Sequence, residues 1–229
     1  MKGLMQDWPL LVHTFIDHAS LHHSEREIVT RKVEGDIHRT NYLEIHSRAR
    51  KFSKALIKLG VKKSDVIGTL AWNTHRHLET WYGITGVGAI YHTLNPRLFL
   101  EQLEYIINHA DNKYIIADIT FVKILEGIES KLSNVKGFIF LTDSENMPET
   151  NLKNIFCYEE MINLEDDDYE WLKVEETDAC GLCYTSGTTG NPKGVLYSHK
   201  SNVLHTLVAN NADAMGIKST DSVMPVVPM

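Results

Sequence analysis

Cysteine is scarce: three in 229 residues, Cys157, Cys180 and Cys183, are too few and odd in number for a disulfide framework. Positive charge is in deficit too, with 23 Lys and Arg against 30 Asp and Glu and a net charge of −7. Such a chain offers no basic field to a nucleic-acid backbone or an anionic leaflet. No apolar run reaches the roughly 18 residues a membrane span needs, and the stretch after Lys2 is too short for a secretory signal. These absences predict a soluble, cytoplasmic protein with no nucleic-acid partner and no membrane span.

What is present is ordinary globular composition, 43% apolar and 23% charged. A compact chain of this length buries roughly 70% or more of its unfolded surface, so its core needs no metal or disulfide. No fixed-period repeat or linker divides it.

Between Asn41 and Gly60 the positions Ile45, Ala49, Phe52, Leu56 and Leu59 draw one apolar stripe down a helix. Asn41 and Glu44 suit its N-terminus, and Gly60 supplies a left-handed stop. A strand follows at Val66 to Ala71, then a helix with Leu78, Trp81, Tyr82 and Thr85 on one side, then a strand from Ala89 to Leu94. Asn95-Pro96 opens a helix whose inner face is Phe99, Leu103, Ile106 and Ala110. Tyr114 to Ala117 reads as a strand, Phe121, Ile124, Leu125 and Ile128 as a helix face, and Gly137 to Leu141 as another strand. Short apolar strands alternating with helices predict an α/β fold, with mostly parallel sheets and helices on both faces. From Asp143 to Asp178 the pattern degrades into polar sequence with acidic clusters, Glu165 to Asp168 and Glu175-Glu176, which read as a solvated connection rather than a carboxylate metal site.

The informative stretch runs from Cys180 to His199, CGLCYTSGTTGNPKGVLYSH. A strand from Ala179 to Tyr184 enters Thr185, Ser186, Gly187, Thr188, Thr189 and Gly190, followed by Pro192, Lys193 and Gly194. Glycines let consecutive backbone N–H groups turn toward an anion, while four hydroxyls and one ammonium add donors and a mobile positive charge. The composition is that of a polyphosphate cradle. It differs from a P-loop, in which the Lys is followed by Ser or Thr and a helix starts at once. Here Gly194 follows, and Val195 to Tyr197 reads as a strand before a helix capped by Ser198.

The segment YTSGTTGNPKG resembles the signature loop of the adenylate-forming superfamily, and the resemblance extends over essentially the whole chain. WNTHRHLE (Trp72 to Glu79) and HTLNPRL (His92 to Leu98) are similar to the medium- and long-chain fatty acyl-CoA synthetases within it. This resemblance implies a two-step ligation. A carboxylate attacks the α-phosphorus of ATP, giving an acyl-adenylate and pyrophosphate, and coenzyme A then displaces AMP to form a thioester.

By the same resemblance Thr185, Ser186, Gly187, Thr188, Thr189, Gly190 and Lys193 hold the β- and γ-phosphates, with Thr185 or Thr188 as a hydroxyl near magnesium. The implied substrates and cofactors are ATP, Mg, coenzyme A and a small-molecule carboxylic acid, and a homodimer is a possible assembly. Residues 1–229 then form an incomplete N-terminal AMP-binding domain, with 179–229 beginning the phosphate-loop subdomain. The family's ribose-gripping, magnesium-holding Glu and C-terminal-domain segments have no counterpart here, so the chain is expected not to turn over alone and no complete catalytic set is assigned. A short or methylthio-alkanoic acid as substrate is an alternative within this class. A non-catalytic phosphate-binding or partner-binding product is the alternative outside it, and a P-loop hydrolase a third.

Other chemistry-bearing residues have blander readings. Cys180 and Cys183 lie three apart on a strand, which turns them to opposite faces as buried residues. His22, His23, His75 and His77 are assigned surface or capping positions, His199 a supporting place behind the loop, and His92 no fixed role. Trp72, Trp81 and Tyr82 are expected in the core. A truncated sheet is expected to expose apolar surface and to self-associate.

Overall fold

The computed structural model describes residues 1, 3–5, 7–185 and 191–227. After helix α1 (Thr14–His22), strands β1 (Glu27–Arg31) and β2 (Ile37–Asn41) form an antiparallel hairpin. Helix α2 (Tyr42–Lys58) then leads into β3 (Val66–Leu70), α3 (His75–Gly86), β4 (Ile90–Thr93), α4 (Leu100–His109), β5 (Asn112–Ala117), α5 (Val122–Ile128) and β6 (Phe138–Phe140). Strand β7 (Ile155–Cys157), α6 (Tyr158–Asn163), β8 (Ala179–Thr185), β9 (Lys193–Ser198) and α7 (His199–Ala209) complete it. The main sheet has the order β7-β6-β5-β3-β4-β8-β9. Every neighbouring pair is parallel except β8 with β9.

Strand alternation sorts the core into two layers. On one face Ile67, Tyr91, Ile116 and Ile139 meet Phe52 and Leu56 of α2, Ile84 of α3 and Val203 of α7. On the other, Leu70, Ile115, Phe138 and Phe140 meet Leu103, Ile106 and Ile107 of α4 and Val122 and Leu125 of α5. The α/β expectation, with helices on both faces, is therefore met. The stripe on α2 buries Ile45, Ala49, Phe52 and Leu56, Asn41 accepts a hydrogen bond from the Glu44 N–H at 2.9 Å, and Gly60 turns the chain at φ +81°.

Several expectations are corrected. Helix α4 begins at Leu100, not at Asn95-Pro96; Phe99 lies before its first turn, 77% exposed, and Ile107 rather than Ala110 completes its inner face. Helix α3 has no single inner side: it is wedged between α2 and the sheet, so Glu79, Thr80, Gly83, Ile84 and Thr85 are all buried. His75 and His77 are buried as well, not surface residues, because the β1–β2 hairpin covers the start of α3. The His75 N–H donates to Thr30 Oγ1 at 3.0 Å, and the His75 ring stacks on His38 at 4.0 Å. His77 Nδ1 meets the Trp72 carbonyl at 3.2 Å. Trp72 itself is 43% exposed and touches Phe121, whereas Trp81 and Tyr82 pack on the core as expected.

Residues 143–178 are more than a solvated connection, since they contain β7 and α6 and then a strap tied to α2. Lys54 pairs with Asp166, Lys58 with Glu165 and the Ser47 hydroxyl with Asp167, while Arg50 donates to the Tyr169 carbonyl at 2.6 Å. Among the described residues, no helix is long and apolar enough to cross a membrane.

Candidate functional site

An open α/β sheet offers ligands the crevice at the carboxyl ends of its strands where the winding reverses. Here β4 joins one side of β3 and β5 the other, so the reversal lies between β3 and β5. That crevice is filled by the protein's own side chains. Asp118, just after β5, accepts from the Trp72 N–H at 2.6 Å, and burial pushes its carboxyl up to about 7. Glu34 reaches in from the hairpin, accepting from Arg76 at 2.6 Å and from the Thr142 hydroxyl at 2.8 Å. Arg76 continues to Glu159, Glu159 to Arg48, and Arg48 to the fully buried Glu79, which also accepts from the Tyr158 hydroxyl. Each charge in this chain has an opposite partner at 2.6–2.9 Å, the condition under which buried ions are tolerated.

The same carboxyl edge continues to β8, and the hydroxyl-rich segment lies in sequence between β8 and β9. Ser186, Gly187, Thr188, Thr189 and Gly190 lie outside the described residues. Their two neighbours in the motif are placed: Thr185 ends β8, Lys193 begins β9, and the two are cross-strand partners. The Thr185 hydroxyl lies 3.5 Å from the Lys193 carbonyl, and both side chains are exposed. Among the described residues no ion pair involves Lys193, and its side chain is exposed. Thus the two described ends of the motif, Thr185 and Lys193, meet across the β8–β9 pair.

The strands below are closely packed. A Cβ on Gly194 would stand 3.1 Å from both the Tyr184 ring and the Leu182 side chain, and one on Gly181 would collide with the Tyr91 ring at 2.5 Å. Cys180 and Cys183 are free thiols: Cys180 is buried and accepts from the Asn202 amide, and Cys183 meets the Thr93 hydroxyl. After β9, Ser198 caps α7 by accepting from the Ser201 N–H. His199 sits behind the hairpin, its Nδ1 accepting from the Val12 N–H at 3.2 Å while burial lowers its pKa to about 4. His92 is fully buried against Asn112, with Nδ1 2.9 Å from the amide oxygen. Sequence reading missed Tyr184 and His109, whose side chains meet at 2.6 Å beside the hairpin. No sequence signal joins these two residues, which lie 75 positions apart.

Curated relatives match over nearly the whole chain, three of them as follows. The 3-methylmercaptopropionyl-CoA ligase of Ruegeria lacuscaerulensis is 47% identical over 229 residues, covering 100% of this chain and 42% of the relative. The medium-chain-fatty-acid–CoA ligase of Ectopseudomonas oleovorans is 42% identical with the same coverage. The long-chain-fatty-acid–CoA ligase of Thermus thermophilus is 40% identical over 98% of this chain and 40% of its own length. The chain therefore spans about two fifths of the relatives it matches. Among solved structures, an anthranilate CoA ligase with anthranoyl-AMP superposes with a TM-score of 0.74 at 23% identity, over 85% of this chain and 36% of its own. A Brucella canis acyl-CoA synthetase gives 0.73 at 18%, over 90% and 36%. These two likenesses confirm the fold. Residues 16–229 match the AMP-binding enzyme family, and the chain belongs to that family.

Proposed function

We propose that the chain is the N-terminal part of an ATP-dependent acid–thiol ligase that converts a carboxylic acid to its coenzyme A thioester, and that the β8–β9 turn grips the polyphosphate of ATP. The observation that carries this reading is the meeting of Thr185 and Lys193 across the mouth of the hairpin, with hydroxyls and glycines between them in sequence. A carboxylate oxygen bonds to the α-phosphorus as the bond to the bridging oxygen of pyrophosphate breaks. Negative charge grows on that leaving group, where Lys193, the loop hydroxyls and turned backbone N–H groups offset it. The coenzyme A thiol then attacks the acyl carbon, loses its proton and expels AMP.

Magnesium would enter with the phosphates: the exposed Thr185 hydroxyl would offer it one neutral oxygen, with phosphate oxygens and waters supplying most of its octahedral shell. When bound it would neutralise phosphate charge. Residues 1–229 carry this turn and its supporting sheet, and turnover needs further groups for ribose, acyl chain and thiol. The acyl group is left to a comparison of chain lengths. Relatives acting on 3-methylmercaptopropionate and on medium-chain acids match at 47% and 42% identity, which keeps a methylthio-alkanoic acid beside a fatty acid as candidate substrate.

The test fuses residues 1–229 to the downstream portion of the Ectopseudomonas oleovorans relative and measures carboxylate-dependent exchange of pyrophosphate into ATP, with methylthiopropionate, octanoate and palmitate offered separately. Exchange that requires one of these acids and falls at least 100-fold in Lys193→Ala is expected, on the order of the loss of a strong transition-state contact. Exchange unaffected by that substitution refutes the assignment.

A further inference from the structure

The stem of the β8–β9 hairpin is held at one point by a side chain that the phosphate reading does not use. Tyr184 immediately precedes Thr185 and pairs across the strands with Gly194, which immediately follows Lys193. Its ring covers Gly194 so closely that a Cβ there would stand at 3.1 Å. Its hydroxyl lies 2.6 Å from Nδ1 of His109 in the last turn of α4. Behind it the ring rests 5.1 Å from the buried His92, itself tied to Asn112 of β5. On the outer side the His109 ring stacks on Tyr105 at 5.2 Å, beside an open groove of about 580 Å³ along α4. One phenol therefore joins both stems of the hairpin to α4 and to the middle of the sheet.

We infer that Tyr184 is a positioning residue for the polyphosphate turn, with His109 as the acceptor that fixes its ring over Gly194. This deepens the phosphate reading above and rests on it. Burial, together with the nearby Tyr105, raises the pKa of the Tyr184 phenol, so the hydroxyl stays protonated and acts as donor. His109 Nδ1, 2.6 Å away, takes the acceptor side of that contact. Because the contact is directional, it selects one ring orientation, and that orientation sets the separation of Thr185 and Lys193, one residue further along each strand. Tyr184 itself need not touch phosphate.

The experiment uses the 229-residue chain and four variants: Tyr184→Phe, which keeps the ring and removes the hydroxyl; His109→Ala; His109→Asn, whose amide oxygen can replace Nδ1 as acceptor; and Lys193→Ala. Two quantities are read, calorimetric affinity for inorganic tripolyphosphate and amide hydrogen exchange at Gly194 and Lys193. Expected are a roughly fivefold loss of affinity in Tyr184→Phe and His109→Ala, the size of one net hydrogen bond, exchange about tenfold faster, and recovery of both quantities in His109→Asn. Unchanged exchange, or faster exchange with unchanged affinity, overturns the positioning role while wild-type binding and its loss in Lys193→Ala leave the phosphate reading standing. No recovery in His109→Asn also overturns it, because bulk alone would then be missed. If the wild-type chain binds no tripolyphosphate, the phosphate reading fails and this role falls with it.

Discussion

Acid should unfold this protein unusually early, and the structure gives the slope. His75, His77, His92 and His199 are all buried, and burial depresses their pKa values to about 2, 4, 4 and 4. Each is ordinary in the unfolded chain, near 6.5. For a depressed histidine the unfolded state binds the proton first, so stability is complete above about pH 6.5 and drains away as pH falls toward the folded value. His13 and His38 shift in the same direction, again through burial.

Two carboxyls oppose them. Burial raises Asp118 and Glu79 to about 7, so the folded state takes their protons first and gains relative stability as pH falls from 7 toward 4. At about 1.4 kcal/mol per proton and pH unit, four histidines against two carboxyls leave a net loss that steepens from about 1 kcal/mol per unit near pH 6.3 to about 2.5 kcal/mol per unit below about pH 5.5. The fall from pH 6.5 to 4.5 removes about 4 kcal/mol, most of the stability of a modest domain. Urea unfolding followed by tryptophan fluorescence at half-unit steps from pH 7.5 to 4.5 measures the slope directly. The midpoint should fall steadily below pH 6.5, and His92→Gln, which keeps an amide partner for Asn112, should reduce the slope by about one proton. A midpoint that is flat or rising between pH 6.5 and 5 would refute the reasoning.

Three further outcomes follow from the packing. Glu79→Ala leaves Arg48 without one of its buried partners and strips the Tyr158 hydroxyl of its acceptor; a loss of about 3–5 kcal/mol in chemical denaturation is expected, and less than 1 kcal/mol would show the network to be dispensable. Gly83→Ala should destabilise by about 1–3 kcal/mol despite better helix propensity, because the new Cβ would stand 2.7 Å from the Phe52 ring and 3.1 Å from the Ala49 carbonyl; a more stable variant in a thermal melt would contradict the close approach of α2 and α3. Leu196 on β9 and Leu207 and Val208 on α7 are exposed, so light scattering of the isolated chain should show concentration-dependent association, and a monodisperse monomer to 100 μM, on the order of the highest concentration needed, would speak against it.

The sequence made the central architecture legible wherever one physical rule dominated. The stripe on α2 and the alternation of strands with helices depend on burial periodicity, which survives in a single sequence. The hairpin β1–β2 was not legible: Glu27–Arg31 and Ile37–Asn41 are half polar because one of their faces is exposed, and their inward residues, Thr30 and Thr40, are polar as well. Missing the hairpin led directly to placing His75 and His77 on the surface, since the hairpin is what covers His75. The acidic residues at 165–168 were misjudged for a related reason, as Lys54 and Lys58 lie on the outer face of a helix whose partner could not be foreseen. At the candidate site the order of hydroxyls, glycines and lysine pointed to phosphate from sequence alone. The meeting of Tyr184 with His109, 75 residues apart in the chain, required the fold.

The most direct test of the central claim is a crystal structure of the fused ligase with a non-hydrolysable ATP analogue. Oxygens of the β- and γ-phosphates should lie within about 2.7–3.2 Å of the Thr185 hydroxyl or the Lys193 ammonium, at the mouth of the β8–β9 hairpin. Phosphates seated at the β3–β5 crevice, displacing Glu34 from Arg76, would contradict it.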